Sequence, residues 1–167
     1  LEQVALKIPI NTALIEFIEF EEQDLLNLEK DSKARFGAIV ILPTNSVDPD
    51  STARKPIKIT LAYKEEVEEH LSAFLNWTSS NNKIYPRNAL PELHRLLIKP
   101  IIATLPKEID SLILSPDGML SFLPFHALHE NPDAPFLSEK FNLFQVTSGR
   151  DLLKEFEPND SKKVVLF

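Results

Sequence analysis

Two histidines placed three residues apart resemble a metal-binding motif. His126 and His129 are followed closely by Glu130 and Asp133, and a His-x-x-His pair on a helical turn can bind zinc. Prolines on both sides of these residues indicate a loop edge, however, and the spacing fixes no third ligand. The pattern therefore favours histidines that are simply packed or exposed, and we predict no metal site.

A serine, an aspartate and a histidine in the second half of the chain have the side-chain types of a hydrolase triad. They are Ser115, Asp117 and His126, but a triad is defined by geometry in space and not by spacing along the chain. Ser115 lacks the Gly-x-Ser-x-Gly setting of a nucleophile elbow, and Asp117 fits the Ser-Pro-Asp-Gly sequence of a turn. A hydrolase that uses Ser115 and His126 predicts labelling of Ser115 by a fluorophosphonate probe. We expect no labelling.

The composition excludes several kinds of site. The sequence contains no cysteine, which excludes disulfides, zinc–thiolate sites and a thiol nucleophile. Its three glycines form no phosphate-binding loop. We therefore predict no catalytic, cofactor-binding or metal-binding residue in this chain, and no cofactor.

Charge and the distribution of apolar residues restrict the partners. The chain has 25 acidic and 18 basic residues, a net charge of −7. This balance argues against direct contact with nucleic acid, because phosphate-backbone binding normally leaves a basic surface. No apolar run approaches the roughly 18 to 20 residues that cross a bilayer, so we expect no membrane contact. A cytoplasmic location is our expectation.

Five further polar residues have both a functional and a structural interpretation. Arg150 could anchor a carboxylate of a partner, but an exposed residue in the first turn of a helix is favoured. Glu16 and Glu19 lie in an apolar strand, so they either face solvent or, under a covered sheet, need basic partners. His70 and His94 are predicted to be surface residues on charged helix faces.

The first part of the chain predicts three strands. Leu14–Phe20 is rich in β-branched and aromatic residues, Gly37–Leu42 is a continuous apolar run, and Ile57–Leu61 alternates cleanly. The segment 21–33 is polar and predicts a loop or short helix, and 44–56 predicts an exposed hairpin loop. Three successive strands joined by loops indicate an antiparallel meander.

Helices and further strands follow. An amphipathic helix is predicted over Lys64–Ser79, and a second should start at Pro91, bend or break at Pro100, and stop at Pro106. The remaining predictions are a strand at Ser111–Leu114, a turn at 115–118, a helical turn at 123–128, a strand at Phe141–Val146, and a helix capped by Ser148 that includes Leu152, Leu153 and Phe156. This alternation of strand and helix indicates an α/β fold.

The order of these elements and their local sequences resemble the CHAT domain family, within the separase/caspase-like clan. The resemblance rests on Ala13–Phe17, Ala38–Leu42, the run Leu112–Gly118 with Leu123–Leu128, and Val146–Gly149 with Leu152. CHAT domains are caspase-like cysteine peptidase modules that commonly follow tetratricopeptide (TPR) repeats in prokaryotic proteins. The resemblance thus implies N-terminal antiparallel strands and helices followed by a caspase-like α/β layer, incomplete at the C-terminus.

The resemblance also implies which part of such a peptidase this chain represents. The family's catalytic residues are a His at the end of one strand, usually followed by Gly, and a Cys at the end of a later strand. No residue here matches either motif, so no catalytic residue is carried over. Residues 1–158 are expected to be the front, pseudo-protease part, and 159–167 a linker and the first strand of the protease half. Because the chain lacks an initiating Met, we expect it to lie within a longer protein.

The predicted function follows from that placement. The chain is expected to be the non-catalytic front half of a CHAT-type cysteine endopeptidase, not an enzyme by itself. Its partners would be the rest of its own chain, namely the protease half and upstream TPR-like repeats, and a protein substrate or regulator. The alternative is a degenerate CHAT module that acts only as a protein-binding scaffold.

Overall fold

A computed structural model describes residues 2–22, 32–44, 55–79 and 85–154. Its strands are β1 (Thr12–Glu22), β2 (Lys33–Ile41), β3 (Ile57–Tyr63), β4 (Ser111–Ser115) and β5 (Asn142–Gln145). Its α-helices are α1 (Glu2–Ala5), α2 (Lys64–Ser79), α3 (Ala89–Leu93), α4 (Lys99–Ile102) and α5 (Leu137–Lys140), with a π-helical segment at His94–Ile98 and 3-10 turns at Gly118–Phe122, Phe125–Ala127 and Gly149–Leu153. We call Gly149–Leu153 the closing turn. No helix among these residues has the length and apolar character needed to cross a membrane.

The five strands form one mixed sheet in the order β3-β2-β1-β4-β5. β1, β2 and β3 pair antiparallel in sequence, which confirms the predicted meander. β4 pairs parallel with β1, and β5 pairs parallel with β4. Because parallel neighbours require a crossover that covers a face of the sheet, the fold is α/β, as predicted.

The main core lies on one face of this sheet. Successive strand residues point to opposite faces, and Ala13, Ile15 and Phe17 of β1 turn to this face. Val67 and Leu71 of α2 are completely buried against it. The helix has the predicted bounds, because its apolar residues recur at helical spacing along one stripe.

The second helical region differs from its prediction at both ends. It begins at Ala89 and not at Pro91, because a proline is tolerated in the first turn, where its missing N–H has no partner to lose. It ends at Ile102, before Pro106. The predicted disturbance at Pro100 takes the form of the π-helical segment that directly precedes α4, a wider turn that accommodates a residue unable to donate to the preceding turn.

The opposite face of the sheet, which we call the second face, carries a smaller core. Val4, Ala5 and Ile8 at the N-terminus pack there with Leu14, Ile41 and Ile113 of the sheet. Leu152 of the closing turn joins this cluster from its edge. The second face is therefore covered in part by short elements.

One prediction near the end of the chain needs correction, and others lie outside the described residues. The helical turn predicted over 123–128 is found as a 3-10 turn at Phe125–Ala127. The helix predicted after Ser148 is only the 3-10 closing turn, although Ser148 caps it as expected, because the backbone is already extended at Lys154. Phe156, the linker 158–163, the strand 164–167 and most of the loops at 21–33 and 44–56 lie outside the described residues.

Candidate functional site

The carboxyl ends of the parallel strands are the place where ligands bind in open α/β sheets. In this protein a groove lies there, beyond β4 and β5. It is lined by Pro116, Ser121, Gln145, Val146, Thr147, Ser148, Asp151 and Lys154. Most of these residues belong to the segment that leads from β5 into the closing turn, so that segment decides what the groove can do.

Asp151 organises the closing turn. Its Oδ2 accepts hydrogen bonds from the backbone N–H of Thr147 and of Ser148, each at 3.1 Å, and its Oδ1 pairs with Lys154. The Ser148 hydroxyl oxygen in turn accepts from the N–H of Arg150 at 3.3 Å. The ion pair with Lys154, followed by the Ser148 N–H, holds the pKa of Asp151 below its ordinary value. The carboxylate is thus committed to capping a turn.

The closing turn is fastened to the sheet by two hydrogen bonds. The Gly149 N–H donates to Glu16 Oε1 at 2.9 Å, across 133 positions of sequence, and the Ser115 hydroxyl donates to the Thr147 carbonyl at 3.3 Å. Gly149 is also in close contact with β1, since a Cβ added there would lie 2.7 Å from Glu16 Oε1 and 2.7 Å from Leu14 Cδ2. A glycine is needed here because the turn lies directly on the strand.

The second strand glutamate, Glu19, also has partners. Its Oε1 accepts from Lys64 Nζ at 2.7 Å, and this hydrogen bond raises the pKa of Lys64. Its backbone N–H donates to Asp117 Oδ2 at 3.3 Å. The sequence leaves two alternatives for these glutamates, exposure to solvent or a basic partner. Glu19 has a basic partner in Lys64, whereas Glu16 accepts a hydrogen bond from a backbone N–H instead.

The residues of the possible hydrolase triad do not form one. Ser115 is buried with its hydroxyl donated to Thr147, and Asp117 receives the Glu19 N–H. His126 is exposed, and neither of these two hydrogen bonds leads to it. Within the described residues the nucleophile–base contact that such a mechanism requires is missing.

The histidines serve packing more than the sequence suggested. His129 is buried, with Nδ1 2.9 Å from the Ala127 carbonyl and its ring edge-to-face with Phe136 at 5.5 Å. His94 is 2% exposed, so its predicted surface position is wrong, and burial lowers its pKa. The neighbouring Leu93 and Leu97 are fully buried. The leucines that flank His94 in the sequence are the feature that could have indicated its buried position. No group of three metal-binding side chains occurs in the part of the chain that the structure describes.

Arg150 points away from this network. It is exposed, as favoured from the sequence, and it borders a shallow groove beside α1 together with Leu153 and Lys154. The carboxyl end of the sheet is therefore a hydrogen-bonded corner whose carboxylates are occupied by internal partners. Its chemistry is that of a structural joint.

A comparison with protein-family models finds the CHAT domain at residues 87–167. This segment of the chain, just under half of its length, therefore matches the CHAT domain family. The matched segment contains β4, β5 and the closing turn, and it includes the motifs Leu112–Gly118 and Val146–Gly149. The two opening strands that also resemble the family lie outside the match. CHAT domains are caspase-like, so the match relates residues 87–167 to a caspase-like protease family. No curated protein sequence matches the chain.

Proposed function

We propose that this chain is the non-catalytic front half of a CHAT-type, caspase-like cysteine endopeptidase. In this role the five-stranded sheet supports the protease half of the same protein. It also offers surfaces to regulatory TPR-like repeats and to a protein substrate or regulator. The catalytic His and Cys would then belong to the protease half.

The observation that carries this proposal is the absence of cysteine from the sequence of a chain that matches the CHAT domain. Cysteine peptidases need a thiolate that attacks the scissile carbonyl. A chain without a thiol cannot provide this nucleophile, whatever its fold. It can contribute structure, binding surface and orientation to a nucleophile located elsewhere.

The corner at the carboxyl end of the sheet supports a structural role. Asp151 caps the closing turn, and Glu16 and Ser115 hold that turn on the sheet. A catalytic carboxylate or hydroxyl would instead be directed at the space where substrate binds. Because these groups are occupied internally, they make the corner rigid, which suits a support for neighbouring protein.

The test compares this chain with the natural protein that contains it. A cysteine-directed activity probe should label the longer protein at one cysteine, in a strand that follows a strand ending in His-Gly. Labelling should vanish when that cysteine is changed to alanine. The isolated chain should neither react with the probe nor cleave a peptide.

Two results would overturn the proposal. Peptidase activity in the isolated chain would show that the chemistry lies within it. A longer protein without the His and Cys strands would instead favour the degenerate module, whose role is binding alone, and its partner would then be sought by pull-down.

A further inference from the structure

The outer edge of β5 has backbone groups that none of the described strands covers. β5 is the last strand of the sheet and pairs with β4. The N–H groups of Asn142 and Val146 donate to carbonyls on the β4 side, each at 2.9 Å. Because the backbone polar groups of successive strand residues point to opposite edges, those of Leu143 and Gln145 point outward. We call Leu143–Gln145 the open edge.

Hydrogen bonds within the chain limit the open edge at both ends. Before it, the Phe141 N–H donates to the Leu137 carbonyl of α5 at 3.0 Å. After it, the Thr147 N–H donates to Asp151 Oδ2 at 3.1 Å. In the described part of the chain, the outward N–H and C=O groups between these two points have no hydrogen-bond partner. An edge of this kind accepts another extended strand through main-chain hydrogen bonds.

A groove of about 280 Å³ lies beside the open edge, on the face of the main core. Besides the open edge it is lined by Leu114, Leu123, Pro124, Phe125 and His126. Its apolar floor is already formed, since Leu114, Leu123 and Phe125 are buried. In an added strand, the residues opposite Leu143 and Gln145 would lie on this same face. They would therefore meet an apolar groove.

The other face of the open edge presents an aromatic ring. Phe144 is paired with Ile113, which belongs to the core of the second face, and its side chain is 57% exposed. In an added strand, the residue opposite Phe144 would lie beside this ring. Both faces of the open edge therefore have apolar surface for successive side chains of such a strand.

The two edge strands of the sheet differ in their protection. β3, at the opposite edge, contains Lys58 and directly follows Pro56. A lysine and a proline are features that keep other strands from an edge. β5 contains neither a charged residue nor a proline. It is therefore the edge that is open to strand addition.

The charges close to β5 have partners within the chain. Lys140 pairs with Glu130 at 2.9 Å, and Lys154 pairs with Asp151. With these charges compensated and β5 itself neutral, a charged segment would lose its hydration without gaining an opposite charge. Charge complementarity therefore selects an uncharged segment.

We propose that β5 binds an extended, uncharged segment of a partner protein, which joins the sheet as an additional strand. The main chain of the segment pairs with Leu143 and Gln145. Two alternate side chains enter the groove, and the residue between them covers Phe144. The inference deepens the proposed function, on which it rests for the partner being a protein substrate or regulator.

Hydrogen exchange distinguishes the two edges of β5. In the free chain, the amides of Leu143 and Gln145 should exchange fast and that of Val146 slowly, because the Val146 N–H bonds to the Leu114 carbonyl. The probe is a peptide selected against the chain from a random library displayed on phage. It should slow exchange at Leu143 and Gln145. The selected peptides should have apolar residues two positions apart and no net charge.

Two substitutions of Gln145 separate main-chain from side-chain binding. Gln145→Pro removes an outward N–H, and proline is tolerated in an edge strand when its nitrogen faces outward. It should weaken binding of the selected peptide about tenfold or more. The matched control, Gln145→Ala, keeps the N–H and should change binding by less than about twofold. Urea midpoints establish that both variants are folded.

Several results would overturn the proposal. Slow exchange at Leu143 and Gln145 in the free chain at every concentration would show that the chain itself already covers the edge. Slow exchange that dilution abolishes would assign the edge to a second copy of the chain. Failure to select any peptide, or equal weakening by the two variants, would also contradict strand addition. The thiol-probe test of the longer protein is separate from all of these results, so the two proposals fail independently.

Discussion

Replacing Gly149 with alanine tests the joint between the closing turn and the sheet. The new Cβ would lie 2.7 Å from both Glu16 Oε1 and Leu14 Cδ2, well inside van der Waals contact. Overpacking of this kind costs about 1–3 kcal/mol. The fully buried Leu14 has little room to yield, so we expect a loss of about 2 kcal/mol in the free energy of unfolding.

Urea denaturation measures this loss. With a slope of about 2 kcal/mol/M, the expected change moves the midpoint down by about 1 M. The control is Ser121→Ala, at an exposed position in the groove beyond β4 and β5. Its free energy of unfolding should stay within about 0.5 kcal/mol of that of the parent chain. A Gly149→Ala midpoint equal to that of the control would refute the close approach.

A double-mutant cycle identifies the partner. Glu16→Ala alone removes the hydrogen bond to the Gly149 N–H and should cost about 1 kcal/mol. In Gly149→Ala/Glu16→Ala the clash with the carboxylate is gone and only the contact with Leu14 remains. The double variant should therefore lose less stability than the two single variants added together. Strict additivity would show that residues 16 and 149 do not interact.

Three further predictions concern individual side chains. Burial lowers the pKa of His94, so the stability contributed by its neutral ring is fully present above about pH 6.5 and is lost as the pH falls from there toward the folded-state pKa. The decline in urea midpoint on acidification should therefore shrink in His94→Leu and persist in the control His126→Gln. An unchanged decline in His94→Leu would contradict this origin. Lys154 and backbone N–H groups lower the pKa of Asp151, so the stability that these contacts give the folded state is present above the ordinary carboxyl pKa and is lost as the pH falls through the folded-state value. At neutral pH, Asp151→Asn should speed hydrogen exchange at the Thr147 and Ser148 amides. Unchanged exchange would argue against the cap. A fluorophosphonate probe should leave Ser115 unlabelled, because its hydroxyl is buried and donated to Thr147, and labelling that Ser115→Ala abolishes would restore the hydrolase hypothesis.

Local signals account for the elements that were predicted well. α2 has the predicted bounds because its apolar stripe repeats at helical spacing. β3 contains its predicted run and β2 contains all of its run except Leu42, because alternating and continuous apolar patterns identify half-buried and buried strands without knowledge of their neighbours. Ser148 was recognised as a cap because capping depends on residues within one turn.

Predictions failed where the decisive neighbour was distant or the backbone was under local constraint. The sequence predicts His94 on a charged helix face, whereas the packing of the helix against its neighbours buries it. The π-helical segment was not foreseen, since Pro100 indicates a disturbance but not the form that the hydrogen bonds take around it.

The sequence by itself determined the α/β class, the order of the elements, the CHAT resemblance and the lack of a thiol nucleophile, because each depends on residue type or on short-range pattern. Only the tertiary structure decided that Gly149 would donate to Glu16 and that Ser115 would be engaged by Thr147. These partners lie 133 and 32 positions apart, and parallel pairing of β1, β4 and β5 brings them together. A side chain's chemical type is local, whereas its role depends on which donor or acceptor the fold places beside it.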